Sequence, residues 1–394
     1  MSPVASVMNT KNFIIAAVFI TLCAAGCNQN TDTPDESGRP GFDPGELPQA
    51  LADTSFNNNS QYDFFFGFSG FDFRKKDLGG LSYDFLKYQV FDNKTRWPEK
   101  DKMPAFYDPA GWLERGMDPG LQIKELHRRG YTGRGIKVAV IDKPINPEHD
   151  EFKGRMHYTE VFEGDIMNKR HFHGIACASV VAGTECGILP EAEIYYFAVP
   201  DNGKNSINYL SAMDTLLAVN KTLPGGEKIR VVSVSDGIDY KIPEVMERWP
   251  QLMERAAAQD IAVVLSSREF THKYFTWGGA PPGTDNMNAS DYTISPFVAG
   301  DTAFYAGKIL IPSDFRTTAS NTSSDSYVYW GKGGFSWALP YISGLLGMGW
   351  SIAPEMSADE LYSVMLESFT ETAGVFSVID PLTYINAITE RLKD

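Results

Sequence analysis

The chain has 394 residues, of which 43% are hydrophobic and 22% charged, so it can bury a full-sized core as one large domain or two ordinary ones. Lys and Arg number 35 against 50 Asp and Glu, which gives a formal net charge of -15. This acidic balance argues against a nucleic-acid partner and against binding to an anionic membrane through surface charge.

Residues 1–27 have the pattern of a signal peptide. Lys11 precedes a short apolar run from Phe13 to Leu22, and small residues follow up to Cys27. The run is too short to span a bilayer comfortably, since a spanning helix needs roughly 20 apolar residues. The segment resembles a bacterial lipoprotein signal, which implies that Cys27 becomes the first residue of the mature chain and carries the lipid.

One residue departs from the lipoprotein pattern. Ala24 occupies the position three before the cysteine, where such signals more often have a bulkier aliphatic residue. Ordinary secretory cleavage and an uncleaved anchor therefore stay open as alternatives. The resemblance implies an exported bacterial protein, located at the cell surface or anchored to a membrane through its lipid.

Two further segments precede the main domain. Residues 28–54 are polar and rich in Pro, Gly and Asp, which predicts a flexible tether. Residues 55–114 mix aromatic clusters such as "YDFFFGFSGFDF" with charge and show no clean periodicity. They are interpreted as an N-terminal extension or a pro-region, and the sequence does not decide between the two.

From residue 115 onwards, short β-branched runs alternate with helical stretches. The predicted strands are 136–141, 192–199, 229–234 and 261–265, and the predicted helices are 173–183, 206–219 and 243–258. This alternation predicts an α/β domain over 115–394, with three layers and a mostly parallel sheet covered by helices on both faces. Reactive groups collect at the carboxyl ends of such strands, where Asp142 and Ser235 lie.

Three motifs resemble the signatures of the subtilisin-like serine proteases. The first is "TGRGIKVAVID" followed by "PEHDEF", with Asp142 ending the strand. The second is "HGIACASVVAG", which begins at His173, and the third is "GFSWALPYISG", with Ser336 at its third place. The order Asp, His, Ser is the order known for the subtilisin triad. The resemblance covers residues 115–394 and implies a subtilisin-like fold.

The resemblance also implies a role for each residue. Ser336 is the nucleophile, and His173 is the base that takes its proton and later protonates the leaving amine. Asp142 orients the imidazole and stabilises its charged form. The amides at the start of the helix near Ser336 face the carbon at which negative charge develops.

Two more segments are expected to contact the substrate. In "VSVSDG", residues Ser235, Asp236 and Gly237 match the family's substrate-lining strand, which implies a polypeptide substrate paired through its backbone. After the next strand the family has Ala-Ala-Gly-Asn, whereas this chain has "SSREF". The oxyanion-hole asparagine therefore aligns with Glu269, and Arg268 precedes it.

The Glu269 substitution bears directly on catalysis. An ionised carboxylate cannot donate a hydrogen bond to the oxyanion, and loss of one such donor typically costs about 2.7–4 kcal/mol. Three routes would restore the donor: burial that holds the glutamate neutral, donation by Arg268 or a neighbouring amide, or a different register in this loop. The aromatic neighbours of Ser336, Phe335 and Trp337, either narrow the cleft or pack in the core.

The sequence does not indicate a metal site. Cys177 and Cys186 are interpreted as two buried small hydrophobes, with a disulfide as the alternative. His149 and His171 have no carboxylate or cysteine pattern that would complete a ligand set, and His171 is expected to be a polar loop residue. No cofactor is expected to be required, and a structural calcium ion is compatible with the sequence but not indicated, because no Asp-rich loop of EF-hand spacing is present.

The sequence thus predicts a membrane-anchored serine endopeptidase that hydrolyses peptide bonds through an acyl-enzyme on Ser336. The main alternative is a catalytically impaired protein of the same fold that acts as a binding or regulatory module, with Glu269 as the reason. A processing protease with one partner substrate is a further alternative. The oligomeric state is not predicted.

Overall fold

The computed structural model describes residues 67–162, 170–267 and 269–393. The strands in chain order are β1 (Val90–Asp92), β2 (Lys137–Asp142), β3 (Met156–Glu160), β4 (Glu193–Ala198), β5 (Ile229–Gly237), β6 (Ala262–Ser266), β7 (Phe275–Gly279), β8 (Thr293–Ile294), β9 (Ile309–Pro312), β10 (Arg316–Ala319), β11 (Tyr327–Trp330), β12 (Phe369–Glu371) and β13 (Ser377–Ile379). The α-helices are α1 (Tyr83–Leu86), α2 (Pro109–Met117), α3 (Ile123–Arg128), α4 (Phe172–Ala182), α5 (Asn205–Thr222), α6 (Pro243–Ala257), α7 (Thr271–Tyr274), α8 (Thr302–Tyr305), α9 (Phe335–Ile352), α10 (Ala358–Glu367) and α11 (Pro381–Arg391).

The main sheet has five strands in the order β3-β4-β2-β5-β6, and all its pairings are parallel. Alternate residues of β2 enter two different cores. Val138 and Val140 belong to the core that also contains α4 and α9 residues, whereas Ala139 and Ile141 belong to the core with α5 and α6 residues. The predicted α/β class, with helices on both faces of a mostly parallel sheet, is confirmed.

The predicted strands and helices correspond to β2, β4, β5 and β6 and to α4, α5 and α6. Central parallel strands are buried on both faces, which is why they appear in the sequence as continuous apolar runs. Strand β5 continues beyond the predicted end, as far as Gly237.

Two further sheets were not predicted. One has the order β12-β13-β9-β7-β8 and mixes parallel and antiparallel pairs. The other is antiparallel, with the order β1-β11-β10. Through β1, the segment before residue 115 shares a sheet with the strand that leads to the Ser336 region.

The aromatic side chains of this early segment form a third core. Phe73, Phe91 and Trp112 pack together there with Phe315 and Tyr329 of the main domain. The predicted signal peptide, including Cys27, and the tether lie outside the described residues. Within the described ranges, no helix is both long and apolar enough to cross a membrane.

Candidate active site

Asp142 is the last residue of β2 and is only 3% exposed. The amide of Lys143 donates to Asp142 Oδ1 at 2.7 Å. The apolar run of β2 therefore carries a carboxylate to the carboxyl edge of the main sheet, as the sequence predicts.

His173 is the second residue of α4, and its ring faces Asp142. The Nδ1 atom of His173 lies 3.0 Å from Oδ1 and 2.9 Å from Oδ2 of Asp142. An ionised carboxylate only accepts hydrogen bonds, so Nδ1 carries the proton and Nε2 of the neutral ring is left as the acceptor. The His173 side chain is 22% exposed, so the site has an opening to solvent.

The residues beside His173 explain its position. His171 is the N-cap of α4, and its Nδ1 accepts the His173 amide at 3.1 Å, so His171 acts as a helix cap rather than as a free loop residue. A side chain at Gly174 would collide with the Tyr196 hydroxyl and lie 2.6 Å from the Lys143 carbonyl oxygen. Only glycine allows α4 to approach the end of β2 so closely.

Ser336 is the second residue of α9, directly after an unusual turn. The N-cap Gly334 has φ of +88°, a conformation that favours glycine, and it provides no side-chain cap. Pro340 lies within the helix and has no N–H, so the Ser336 carbonyl oxygen lacks its intrahelical donor. That oxygen accepts instead from Ser235 Oγ at 2.9 Å and from Cys177 Sγ at 3.5 Å.

The hydroxyl of Ser336 is half-buried and donates to the Ser235 carbonyl oxygen at 3.4 Å. Among the described residues, the hydrogen bond of this hydroxyl therefore runs to the end of β5 and not to His173. Cys177 links the two regions, because its Sγ lies 3.8 Å from His173 Nδ1 and 3.5 Å from the Ser336 carbonyl oxygen. Catalytic hydrogen bonds are often long or misaligned until substrate binds.

The Asp142 and His173 pKa values shift in opposite directions. Burial alone raises the pKa of Asp142, but the charge of His173, their hydrogen bond and Lys143 outweigh it and hold that pKa at about 2. Burial alone lowers the pKa of His173, but Asp142 outweighs it and raises that pKa well above 6.5. The pair is therefore an ion pair at mildly acidic pH, and His173 becomes a base only at higher pH.

Asp142, His173 and Cys177 are also the one group within the described ranges with metal-ligand geometry, since their ligand atoms lie within 4.8 Å of one another. The donor set of oxygen, nitrogen and sulfur suits zinc, but zinc requires a thiolate. Burial raises the pKa of the Cys177 thiol, which keeps it protonated at neutral pH. Sequence reasoning missed the proximity of Cys177 to His173, although their spacing of four places them on one helix face.

Both described cysteines, Cys177 and Cys186, are free and buried, so the prediction of two small buried residues is confirmed. His149 is fully buried, and its Nε2 lies 2.9 Å from the Ser326 carbonyl oxygen. This nitrogen therefore contacts the backbone, which does not favour a role as a metal ligand. Phe335 and Trp337 are both buried. The Trp337 ring lies edge-on to His173, with ring centroids 5.7 Å apart. Trp337 therefore both packs in the core and contacts the candidate base.

The predicted substrate strand ends in a gap between ladders. Strand β5 pairs with β2 only up to Ser233, and its register with β6 shifts between Val234 and Gly237. The backbone of Ser235 and Asp236 therefore lies outside both ladders, as a strand that accepts an extended peptide requires.

The Asp236 side chain contacts both this backbone and helix α5, since its Oδ1 accepts the Gly237 amide at 2.8 Å. Its Oδ2 accepts from the Tyr209 hydroxyl at 2.8 Å and from Asn205 Nδ2 at 3.0 Å. The buried Lys143 Nζ lies 3.5 Å from the same Tyr209 hydroxyl. Sequence reasoning missed this connection between Lys143 and Asp236, because Tyr209 belongs to α5 and carries no motif.

Glu269 lies in the loop between β6 and α7 and is exposed, and its Oε2 accepts from Ser267 Oγ at 3.0 Å. Burial raises the pKa of Tyr240, and the charge of Glu269 adds to this, so Glu269 lies beside the turn that follows β5. Because Glu269 is exposed, the route in which burial holds the glutamate neutral does not apply. Arg268 lies outside the described residues.

Residues 133–272 match the Subtilase family, and this stretch contains Asp142 and His173 but ends before Ser336. A probable subtilase-type serine protease of Deinococcus radiodurans is 24% identical over 295 residues, which cover 64% of this chain and 39% of that protein. The membrane-bound transcription factor site-1 protease of Homo sapiens is 34% identical over 154 residues, which cover 32% of this chain and 14% of that protein. The chain thus spans well under two thirds of either relative.

Among solved structures, the prenylagaramide maturation protease PagA matches 68% of this chain and 98% of its own, with a TM-score of 0.46 and 16% identity. A similarity at this level carries no argument about activity. The family match and the sequence relatives together support a relationship to the subtilisin-like serine proteases.

Proposed function

We propose that the protein is a serine endopeptidase that hydrolyses peptide bonds with Asp142, His173 and Ser336 as its triad. The observation that carries the proposal is the pair of contacts from His173 Nδ1 to both carboxylate oxygens of Asp142 at the carboxyl end of β2. This contact fixes the ring and leaves Nε2 as the base, which is the role that the middle residue of a triad performs.

In the proposed reaction, Ser336 Oγ rotates away from the Ser235 carbonyl oxygen and gives its proton to His173 Nε2 as it attacks the peptide carbonyl carbon. Asp142 stabilises the imidazolium that forms. The first-turn amides of α9 point at the developing negative charge on the carbonyl oxygen. The C–N bond then breaks, the amine takes the proton from Nε2, and water hydrolyses the acyl-serine by the same steps in reverse roles.

The substrate is proposed to be a polypeptide that pairs with the backbone of Ser235, Asp236 and Gly237. The gap between the ladders supports this for Ser235 and Asp236, whose backbone groups have no neighbouring strand there, whereas Gly237 pairs with Ser266 of β6 and marks the end of the gap. The chemistry needs only side chains of this chain and no cofactor. We further propose export of the protein and anchoring through a lipid on Cys27, on the signal pattern of residues 1–27.

The alternative of an impaired, binding-only protein rests on one observation, the exposed carboxylate of Glu269 where the family has an amide donor. A fluorophosphonate probe separates the two functions, because it reacts with an activated serine without requiring a known substrate. We expect labelling of the wild type that is lost in Ser336→Ala and in His173→Ala.

Ser343→Ala is the matched control, since Ser343 lies on the same helix and its hydroxyl donates to the Leu339 carbonyl oxygen at 2.9 Å. Its labelling should equal that of the wild type. A folded wild-type protein that resists labelling would refute the peptidase and favour the binding module.

A further inference from the structure

Asp314 is a buried carboxyl group beside the chain that carries Ser336. It is 2% exposed, and its Oδ1 accepts the Gly333 amide at 2.8 Å and the Ser313 hydroxyl at 3.3 Å. Gly333 precedes Ser336 by three residues. A carboxyl group in the interior is costly, and an apolar residue would fill the same space without that cost.

The backbone around Asp314 is fixed on the second sheet. The amides of Ser313 and Asp314 both donate to the Gly278 carbonyl oxygen of β7, at 2.8 Å and 3.0 Å. Gly333 packs against the Ser313 carbonyl group so closely that a side chain at Gly333 would collide with it. Asp314 is thus a rigid point to which the 331–334 turn is attached.

The turn needs such an attachment. Gly334 adopts φ of +88° and caps α9 without a side chain, so the helix start lacks the usual capping hydroxyl or carboxylate. Glycine is also the most flexible residue, and two of them precede Phe335 and Ser336. Within the described residues, the Asp314 carboxyl group is the side chain that accepts a hydrogen bond from this turn.

The charge environment fits the same role. Burial raises the pKa of Asp314, while the hydrogen bonds from the Gly333 amide and the Ser313 hydroxyl oppose that rise. Burial lowers the pKa of the half-buried Lys332 and raises that of Tyr88, and the charge of Asp314 acts to raise both. Either protonation state of Asp314 keeps an oxygen available to accept the Gly333 amide.

We propose that Asp314 is a positioning residue that fixes the Gly333–Gly334 turn and thereby aims the Ser336 hydroxyl. The proposal rests on the proposed function in so far as Ser336 is the nucleophile. Asp314 itself does not touch the substrate or the reacting atoms. Its effect is on the fraction of molecules in which Ser336 is correctly oriented.

Two substitutions test the proposal. Asp314→Asn keeps the shape and an acceptor oxygen, whereas Asp314→Leu leaves the Gly333 amide without its acceptor. With the fluorophosphonate probe, the maximal inactivation rate and the half-saturating probe concentration are measured separately. Misplacement of a reacting group by about 1 Å costs about a hundredfold, so we expect a loss up to that size in the maximal rate of Asp314→Leu. The half-saturating probe concentration of Asp314→Leu should change little, and the maximal rate of Asp314→Asn should stay close to that of the wild type.

Hydrogen exchange of the Gly333 amide, read from the peptide over 331–337, is the second measurement and needs no activity. Exchange should accelerate in Asp314→Leu and stay near the wild-type rate in Asp314→Asn. Should Asp314→Leu not fold, Asp314→Ala removes the same acceptor without added bulk and takes its place. Glu151→Gln is the matched control, because Glu151 is also a buried carboxyl group that accepts backbone amides, those of Glu185 and Cys186.

The control lies beyond the far end of α4, an eleven-residue helix that is roughly 16 Å long. Its carboxyl group contacts β11 through the Tyr327 hydroxyl at 2.8 Å, and Gln keeps an acceptor oxygen for that hydroxyl, so neither readout should change. A folded Asp314→Leu protein with wild-type inactivation and wild-type exchange would overturn the proposal. Equal damage in Asp314→Asn would overturn it as well, since the acceptor oxygen would then be irrelevant. If the wild type itself is not labelled, the proposed function fails, and the exchange of Gly333 still decides the role of Asp314.

Discussion

Replacing Asp142 by Asn tests the ion pair between Asp142 and His173 in the candidate site. In the folded protein the pKa of Asp142 falls from 3.8 to about 2 although burial alone would raise it. At about 1.36 kcal/mol per pKa unit, the fall corresponds to a net stabilisation of the ionised carboxylate by about 2 kcal/mol, which is what the His173 imidazolium and its neighbours contribute beyond the burial penalty. The side chain is almost fully buried, so solvent screens this interaction little.

The sign of the pH dependence follows from the two shifts. The raised pKa of His173 contributes stability below its ordinary value of 6.5 and loses it as the pH rises through the folded pKa. The lowered pKa of Asp142 contributes stability above 3.8 and loses it as the pH falls through about 2. The attraction between the two charges is therefore fully present between these limits, for example at pH of about 5.

In Asp142→Asn the imidazolium loses its partner and only the burial penalty remains. The pKa of His173 should then move from above 6.5 to below it, and unfolding in urea at pH of about 5 should become easier by about 2 kcal/mol. Labelling by the fluorophosphonate should also fall by about 10⁴-fold, the cost of this change in a serine triad, because the amide no longer selects the productive tautomer.

Proton NMR of the histidine rings measures the pKa, and the labelling rate against pH measures the base. Wild-type labelling should rise with pH along a limb whose midpoint exceeds 6.5. Glu151→Gln provides the control for loss of a buried carboxylate elsewhere. The reasoning is refuted by a folded Asp142→Asn protein that keeps the His173 pKa or labels within about tenfold of the wild type.

Four other expectations concern separate parts of the chain. Glu269→Asn should raise the labelling rate by about a hundred- to thousandfold if this residue faces the oxyanion, and an unchanged rate would mean that it lies elsewhere. Gly174→Ala should lower both the labelling rate and, by about 1–3 kcal/mol, the unfolding free energy in urea, and unchanged values would contradict the close packing against Tyr196. Cys27→Ala should move the protein from the membrane to the soluble fraction on cell fractionation, whereas persistent membrane association would make the apolar run the anchor. Deletion of residues 1–114 should lower the midpoint of thermal unfolding by several degrees or prevent folding, and an unaltered midpoint would show that the extension is dispensable.

The sequence predicts the central part of the fold because local patterns determine it. Strands β2, β4, β5 and β6 are buried on both faces, so each appears as an apolar run that needs no knowledge of its neighbours. Asp142 and His173 follow from the same patterns, since one ends a buried strand and the other begins a buried helix. Ser336 is predictable by its motif but not by helix rules, which disfavour Pro340 within α9.

The rest of the site depends on contacts between distant parts of the chain. Asp314 meets Gly333 across a hairpin, Tyr209 of α5 meets Asp236 of β5, and Cys177 reaches the Ser336 carbonyl oxygen. No periodicity or motif in the sequence connects the two members of any of these pairs. The direction of the Ser336 hydroxyl, towards Ser235, likewise depends on side-chain packing, so the motif around Ser336 does not predict it.

The segment before residue 115 shows most clearly why long-range pairing matters for the site. Val90 of β1 pairs with Trp330, the last residue of β11, and the next residue, Gly331, packs so closely on Tyr88 that a side chain there would meet the Tyr88 backbone. The chain that enters the Gly333–Gly334 turn is therefore flanked by the extension on one side and by Asp314 on the other. Removing the extension would expose Phe315 and Tyr329 and leave one edge of β11 unpaired. A segment in this position helps to hold the turn that precedes Ser336, the proposed nucleophile, which is the physical reason to expect that it remains with the folded domain.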